Sequence, residues 1–214
     1  MGMNPLEFLR NQDELLSDII DYVAKIENLE PSLIQVEDYE GKNDFPALVR
    51  SIVGQQISTS GAKAIYSRLL SLMPNEIISA QNILSFSIEE LKSCGLSYGK
   101  SSYIYQIAEQ VEDGNLDFKL LHQISEEDAR TKLESLKGVG KWTADIFLMF
   151  QLNKPDVFPI GDAGVKSAIK KMYQLPKDTD DQVLIDIAEK WRPHRSLATK
   201  YLWRALDNNY FKNN

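Results

Sequence analysis

The sequence predicts an all-α protein, and three observations carry that expectation. Apolar residues recur at spacings of three and four along most of the chain, the period that gathers them on one face of a helix. The segments so marked open on Ser, Thr or Asp and close on Gly, the residues that cap and stop helices. No two neighbouring stretches alternate apolar and polar residues as paired strands would; LIQVEDYE, 33–40, is the one ambiguous run.

Taken in order, 13–27 places Leu15, Ile19, Ile20, Val23 and Ile26 on one side of a helix. Segments 44–57 and 58–73 follow, with Ser58 placed to cap the second. In 87–95 and 125–138 a Ser is followed three residues later by an acid, the start of a capping box, and each segment ends at Gly. Between them 98–114 is amphipathic and also stops at Gly. After Pro159 come helices over 162–173, 180–191 and 194–208, with Pro193 suited to the first turn of the last. The sum is about ten short helices.

At 214 residues, 43% apolar and 26% charged, the composition is that of a globular protein able to bury a core. No apolar run reaches the length of a membrane span, and the N-terminus lacks a basic-then-apolar signal pattern. The single Cys94 excludes a disulfide framework and a cysteine-ligated cluster, and two His argue against a His/Cys zinc site. The expectation is a cytoplasmic protein with no transition metal. Net charge is −7, but residues 137–214 carry 13 Lys/Arg and 9 Asp/Glu, against 11 and 22 in residues 1–136. That asymmetry fits either a polyanion-facing surface or solvated faces of opposite sign.

LESLKGVGKWTADIFLMF, 133–150, interrupts helical periodicity with Gly-Val-Gly. So short a turn needs backbone conformations open mainly to glycine, which accounts for Gly138 and Gly140. The helix that follows begins with unsatisfied N–H groups and the positive end of its dipole, with Lys141 beside them. This is either a plain helix–helix turn or a helix-hairpin-helix that grips a phosphate backbone.

Followed closely by DVFPIGDAGVKSAI, the hairpin block resembles the helix-hairpin-helix (HhH-GPD) DNA glycosylase superfamily. WRPHRSLATKYLWRAL and the early IVGQQIS narrow the resemblance to the 3-methyladenine DNA glycosylase II branch. It covers roughly residues 44–208 and rests on four blocks in the right order. It implies a two-lobed helical fold with a cleft between lobes and no N-terminal β domain. Lobe A would be about 47–125, and lobe B about 1–46 plus 126–214, holding the hairpin at about 126–150. It implies a monomeric base-excision repair enzyme that flips an alkylated purine, of the 3-methyladenine or 7-methylguanine type, out of duplex DNA and hydrolyses its glycosidic bond without a cofactor. Gly138, Val139, Gly140 and Lys141 would hold DNA. In relatives of this kind a monovalent Na+ or K+ can sit on hairpin carbonyls, here those of Leu136 and Val139.

Asp162, at the start of a helix, has the pattern of an N-cap, and by resemblance it aligns with the catalytic Asp. The two roles agree, because an ionised carboxylate is favoured at a helix N-terminus and opposes the positive charge that develops on the sugar. Trp142 stands where strand-cutting members of the superfamily carry a nucleophilic Lys. The resemblance therefore implies a monofunctional enzyme, with the base stacked between Trp142 and Trp203. Read without the resemblance, either Trp could be core. Ile146 departs from the Tyr of the longer bacterial enzyme, making a less aromatic pocket.

In CGLSYGKSS, Tyr98 is the candidate wedge that fills the emptied stack, with Leu96 second, and Lys100 or the amides of Gly99–Ser101 a phosphate contact. Gln55 and Gln56 are either groove-side or helix-end amides. Arg195 is expected to pair with an acid rather than a phosphate. Two other functions fit parts of this pattern: a non-catalytic DNA-binding module, and a glycosylase for oxidised or deaminated bases.

Overall fold

The computed structural model describes residues 3–27 and 43–213, and among them every regular element is helical. The run at 33–40 lies outside the described residues. The α-helices are α1 (Pro5–Gln12), α2 (Glu14–Glu27), α3 (Asp44–Gly54), α4 (Thr59–Leu72), α5 (Ala80–Leu84), α6 (Ile88–Ser93) and α7 (Tyr98–Glu112). They continue as α8 (Phe118–Gln123), α9 (Glu126–Glu134), α10 (Lys141–Phe150), α11 (Ala163–Met172), α12 (Asp181–Glu189), α13 (Arg195–Asp207) and α14 (Tyr210–Asn213). A 3₁₀ turn covers Pro74–Glu76.

The caps are those the sequence announced. Ser58 accepts the Gly61 amide at the head of α4, and Ser87 with Glu90 closes a complete capping box on α6. Ser125 accepts the Asp128 amide on α9. Among the described residues fourteen α-helices stand against the expected ten or so, because α1, α5, α8 and α14 have eight residues or fewer, too short for periodicity to register. Pro193 precedes α13 rather than entering it; His194 is the N-cap and the Arg192–Pro193 bond is cis.

The chain forms two compact units, one from 1–37 with 153–214 and one from 38–152. In the first, α13 packs on α2 and α11, around a core that includes Leu9, Ile19, Ile169, Trp191, Tyr201 and Leu202. In the second, α7 packs on α3, α5 and α6, and α10 packs on α9 and α3. The hairpin thus belongs with 38–125, whereas the expected lobes grouped it with the termini. The reason lies in the side chains of α10 and of its C-cap, Gln151. Phe147 meets Phe118 of α8 with ring centres 5.9 Å apart, and Gln151 donates to the fully buried Asp44 at 2.7 Å. Asp44 also pairs with His122 at 3.0 Å. No helix of the described residues is long and apolar enough to cross a membrane.

Candidate functional site

The hairpin is the turn between α9 and α10. Leu136 and Val139 are buried and anchor it from below, while the Val139 amide donates to the Leu136 carbonyl at 3.1 Å. Gly138 sits at φ +85°, and a Cβ there would come within 2.3–2.9 Å of the Tyr103 ring and its Cβ. Glycine is required twice over, by backbone angle and by packing. Gly140 differs from expectation. Its φ is −89° and a Cβ would meet nothing within 4 Å, so the turn itself does not need glycine at 140. What Gly140 supplies is an N-cap with no side chain of its own, and the space where its Cβ would stand is open to an approaching phosphate. Lys141 and Trp142 follow, both exposed, Trp142 by 43%. With Val139 buried, any contact it makes with DNA runs through its backbone.

Two residues outside the turn brace it. The Gln55 side-chain amide donates to the Gly138 carbonyl at 2.8 Å and to the Thr143 hydroxyl at 3.1 Å. Arg130 of α9 pairs with the fully buried Asp145 of α10, clamping the two helices together. Sequence reasoning missed the second brace and left Gln55 undecided. Gln56 is exposed in a left-handed conformation at φ 56°.

Tyr98 begins α7 with 59% of its surface exposed, as a wedge requires, whereas Leu96 is buried and has no reach. Lys100 is reassigned. Its ammonium donates to the carbonyls of Val53 and Gln55, at 2.9 and 2.6 Å, and so closes the C-terminal end of α3. Partial burial holds its amine below the ordinary lysine value. Its backbone amide is taken by the capping Ser97 hydroxyl. For the Lys100 ammonium, a helix cap takes the place of the expected phosphate contact.

The unit of 1–37 and 153–214 carries Asp162. A tight turn, with the Asp162 amide donating to the Pro159 carbonyl at 2.8 Å, delivers it to the head of α11. There Oδ1 accepts the Val165 amide at 2.8 Å, the N-cap bond, and also the Trp203 indole N–H at 3.0 Å. Asp162 and Trp203, 41 positions apart in sequence, are brought together by the packing of α11 on α13. Trp203 is half-buried against the core of this unit, so it is both a core residue and a neighbour of the carboxylate. The loop leading to Asp162 is pinned to the start of α13. Arg195 grips Asp156 through Nε at 2.9 Å and Nη2 at 3.0 Å, and the Ser196 hydroxyl donates to the Lys154 carbonyl at 2.7 Å. Arg195 therefore has the acid partner expected of it.

A glycine-pinned turn that opens a helix on a glycine N-cap, and a helix-heading Asp bonded to a Trp, together define a helix-hairpin-helix protein with a candidate catalytic carboxylate. Residues 49–193 match the HhH-GPD superfamily of base excision DNA repair proteins, and the chain belongs to that family. It is 29% identical over 168 residues to DNA-3-methyladenine glycosylase 1 of Schizosaccharomyces pombe, which covers 78% of this chain and 74% of that one. It is 28% identical over 172 residues to a DNA-3-methyladenine glycosylase of Bacillus subtilis, covering 76% of this chain and 57% of the relative's length. The solved DNA-3-methyladenine glycosidase of Bacillus halodurans superposes with a TM-score of 0.81 at 32% identity, over 95% of this chain and 89% of that one.

Proposed function

We propose that the chain is a monofunctional DNA glycosylase that hydrolyses the N-glycosidic bond of alkylated purines, of the 3-methyladenine and 7-methylguanine type, in duplex DNA. The observation that carries the reading is the placement of Asp162. Its carboxylate heads α11 and is held by donors from two helices, in a chain whose curated relatives are 3-methyladenine glycosylases. Loss of the base builds positive charge on the sugar, and a fixed carboxylate beside it lowers that barrier. Water completes the hydrolysis and leaves an abasic site. An N3- or N7-methylated purine is already cationic and departs without an acid to protonate it.

The hairpin holds the DNA backbone through the amides at the head of α10 and through Lys141. Trp142, exposed at the start of α10, offers an indole face to a cationic base. With Trp rather than Lys at 142, there is no amine in the position from which strand-cutting relatives form a Schiff base. The enzyme works as a monomer on duplex DNA and needs no cofactor. The Leu136 carbonyl, which accepts one amide, keeps a second lone pair for the Na+ or K+ that would stiffen the turn together with the Val139 carbonyl.

The test is base release from methylated duplex DNA by wild type and Asp162→Asn, with borohydride trapping alongside. Free 3-methyladenine from wild type alone, with no trapped adduct, supports the proposal. DNA binding without release would make the chain a binding module, and preference for an oxidised purine in a matched duplex would overturn the substrate class.

A further inference from the structure

An N-cap needs one bond from its carboxylate to an amide of the first helical turn, and Asp162 makes that bond to Val165 at 2.8 Å. The second donor, the Trp203 indole, adds nothing to capping. It arrives from a different helix and fixes the rotation of the carboxylate about its stem. How it gets so close depends on the residue between them. Gly164, in the first turn of α11, lies beneath both groups. A Cβ built there would stand 3.0 Å from Asp162 Oδ1, and 3.5 Å from Trp203 Cδ1 and from a Leu206 methyl. The first of these is tighter than ordinary van der Waals contact. The backbone at Gly164 is not in the left-handed region, so helix geometry does not demand glycine here. Space does.

We infer that Trp203 and Gly164 are positioning residues for the Asp162 carboxylate: the Trp203 N–H fixes Oδ1, and the missing side chain at 164 keeps open the gap in which the two groups meet. The inference rests on the proposed catalytic role of Asp162 and deepens it. An indole that served only as an apolar or stacking surface would function equally well without its N–H. An indole that aims the carboxylate would not. Alanine at 164 displaces Oδ1 by a few tenths of an ångström, and reactions that depend on a fixed geometry lose rate steeply with such shifts.

Three variants test this. The first replaces Trp203 with 3-benzothienylalanine, which keeps the ring size and face but has no N–H; the others are Gly164→Ala and Asp162→Asn. Single-turnover release of 3-methyladenine from methylated duplex DNA, affinity for a duplex holding a tetrahydrofuran abasic analogue, and melting temperature are measured for each. The expected result for the first two is release slowed about 10- to 100-fold, affinity within about twofold of wild type, and melting within a few degrees of it. Wild-type release rates in both, with Asp162→Asn inactive, would overturn the positioning roles. A wild-type release rate in the benzothienylalanine variant alone would overturn the role of the Trp203 N–H, since that is the pattern of a purely stacking indole. Full activity in Asp162→Asn would instead remove the catalytic role on which the inference rests.

Discussion

The Gln55 side-chain amide donates to the Gly138 carbonyl at 2.8 Å, joining the C-terminal end of α3 to the turn of the hairpin. The same amide reaches Thr143 in the first turn of α10, and the Gln55 backbone carbonyl accepts the Lys100 ammonium at 2.6 Å. One residue thus connects the hairpin to the helix whose first residue is Tyr98. Gln55→Ala leaves the Gly138 carbonyl and the Thr143 hydroxyl without this donor, a loss of about 1–3 kcal/mol. The expected outcome is a melting temperature lower by a few degrees and DNA affinity weakened about 3- to 10-fold, through a turn less well held. Binding to an abasic-analogue duplex, measured by fluorescence anisotropy, checks it. Unchanged affinity would show that the turn keeps its shape without the amide.

The two glycines of the hairpin should respond in opposite ways to alanine. At Gly138 a Cβ collides with the Tyr103 ring and meets a left-handed backbone. Strain of about 1–2 kcal/mol adds to overpacking of about 1–3 kcal/mol, so Gly138→Ala should melt on the order of 5–15 °C lower. At Gly140 a Cβ enters open space, and Gly140→Ala should melt within about 2 °C of wild type. It should nonetheless bind DNA more weakly, because the methyl occupies the surface that a phosphate must approach. Paired thermal scans and binding curves separate the effects. Tight DNA binding by Gly140→Ala would place the phosphate contact elsewhere.

These results mark what local sequence carries and what it does not. Caps at Ser58, Ser87 and Ser125 were legible because the capping residue and the amide it satisfies lie three positions apart. Asp162 was legible for the same reason. The need for glycine at 138 was legible from the shortness of the turn, but its clash with Tyr103 was not, since that contact joins residues 35 apart that only packing brings together. Gly140 was misjudged because a turn motif does not say which of its glycines carries the positive φ. Lys100 was misjudged because a lysine near a helix start suggests a phosphate, and nothing nearby in sequence reveals the α3 carbonyls that capture it. The Trp203–Asp162 bond belongs to the same class of long-range fact, and Gly164 gave no signal of its own.

A half-buried tyrosine should shape alkaline stability. Tyr173 donates to Asp13, and Lys190 donates to its hydroxyl, while the Trp191 indole also bonds Asp13 at 2.7 Å. Burial, the hydrogen bond to Asp13 and the negative charge of Asp13 all push the Tyr173 phenol well above its ordinary value of 10.0. The unfolded chain then releases this proton more readily than the folded one. The contribution is fully present below about pH 10 and is lost as pH rises above it. Burial lowers Lys100 and Lys200 and acts in the opposite sense over the same alkaline range, so the test is a difference between proteins. Denaturant stability measured from pH 8 to 11 should fall more steeply in wild type than in Tyr173→Phe. Parallel curves would show that Tyr173 ionises alike in both states.

Arg195 presents the last test, of whether an arginine in the candidate active unit serves fold or DNA. Nε and Nη2 fork onto the Asp156 carboxylate, Nη2 also donates to the Asp156 carbonyl at 2.7 Å, and Nη1 reaches Glu189 at 3.2 Å. The side chain is only 10% exposed and that of Asp156 17%, so both charges are largely withdrawn from water. Arg195→Met keeps the apolar stem but leaves Asp156 with Arg192 as its remaining charged partner. Breaking a buried pair from one side costs about 3–5 kcal/mol. Residual exposure and Arg192 reduce that to about 2–3 kcal/mol, or melting on the order of 5–10 °C lower. Arg195→Lys should recover little, because an ammonium cannot fork onto a carboxylate and a carbonyl together. The decisive reading is the dependence of DNA affinity on salt below the variant's melting range. A phosphate contact would lower the slope of log affinity against log salt by about one on removal, whereas a structural pair leaves the slope unchanged, and the geometry predicts no change.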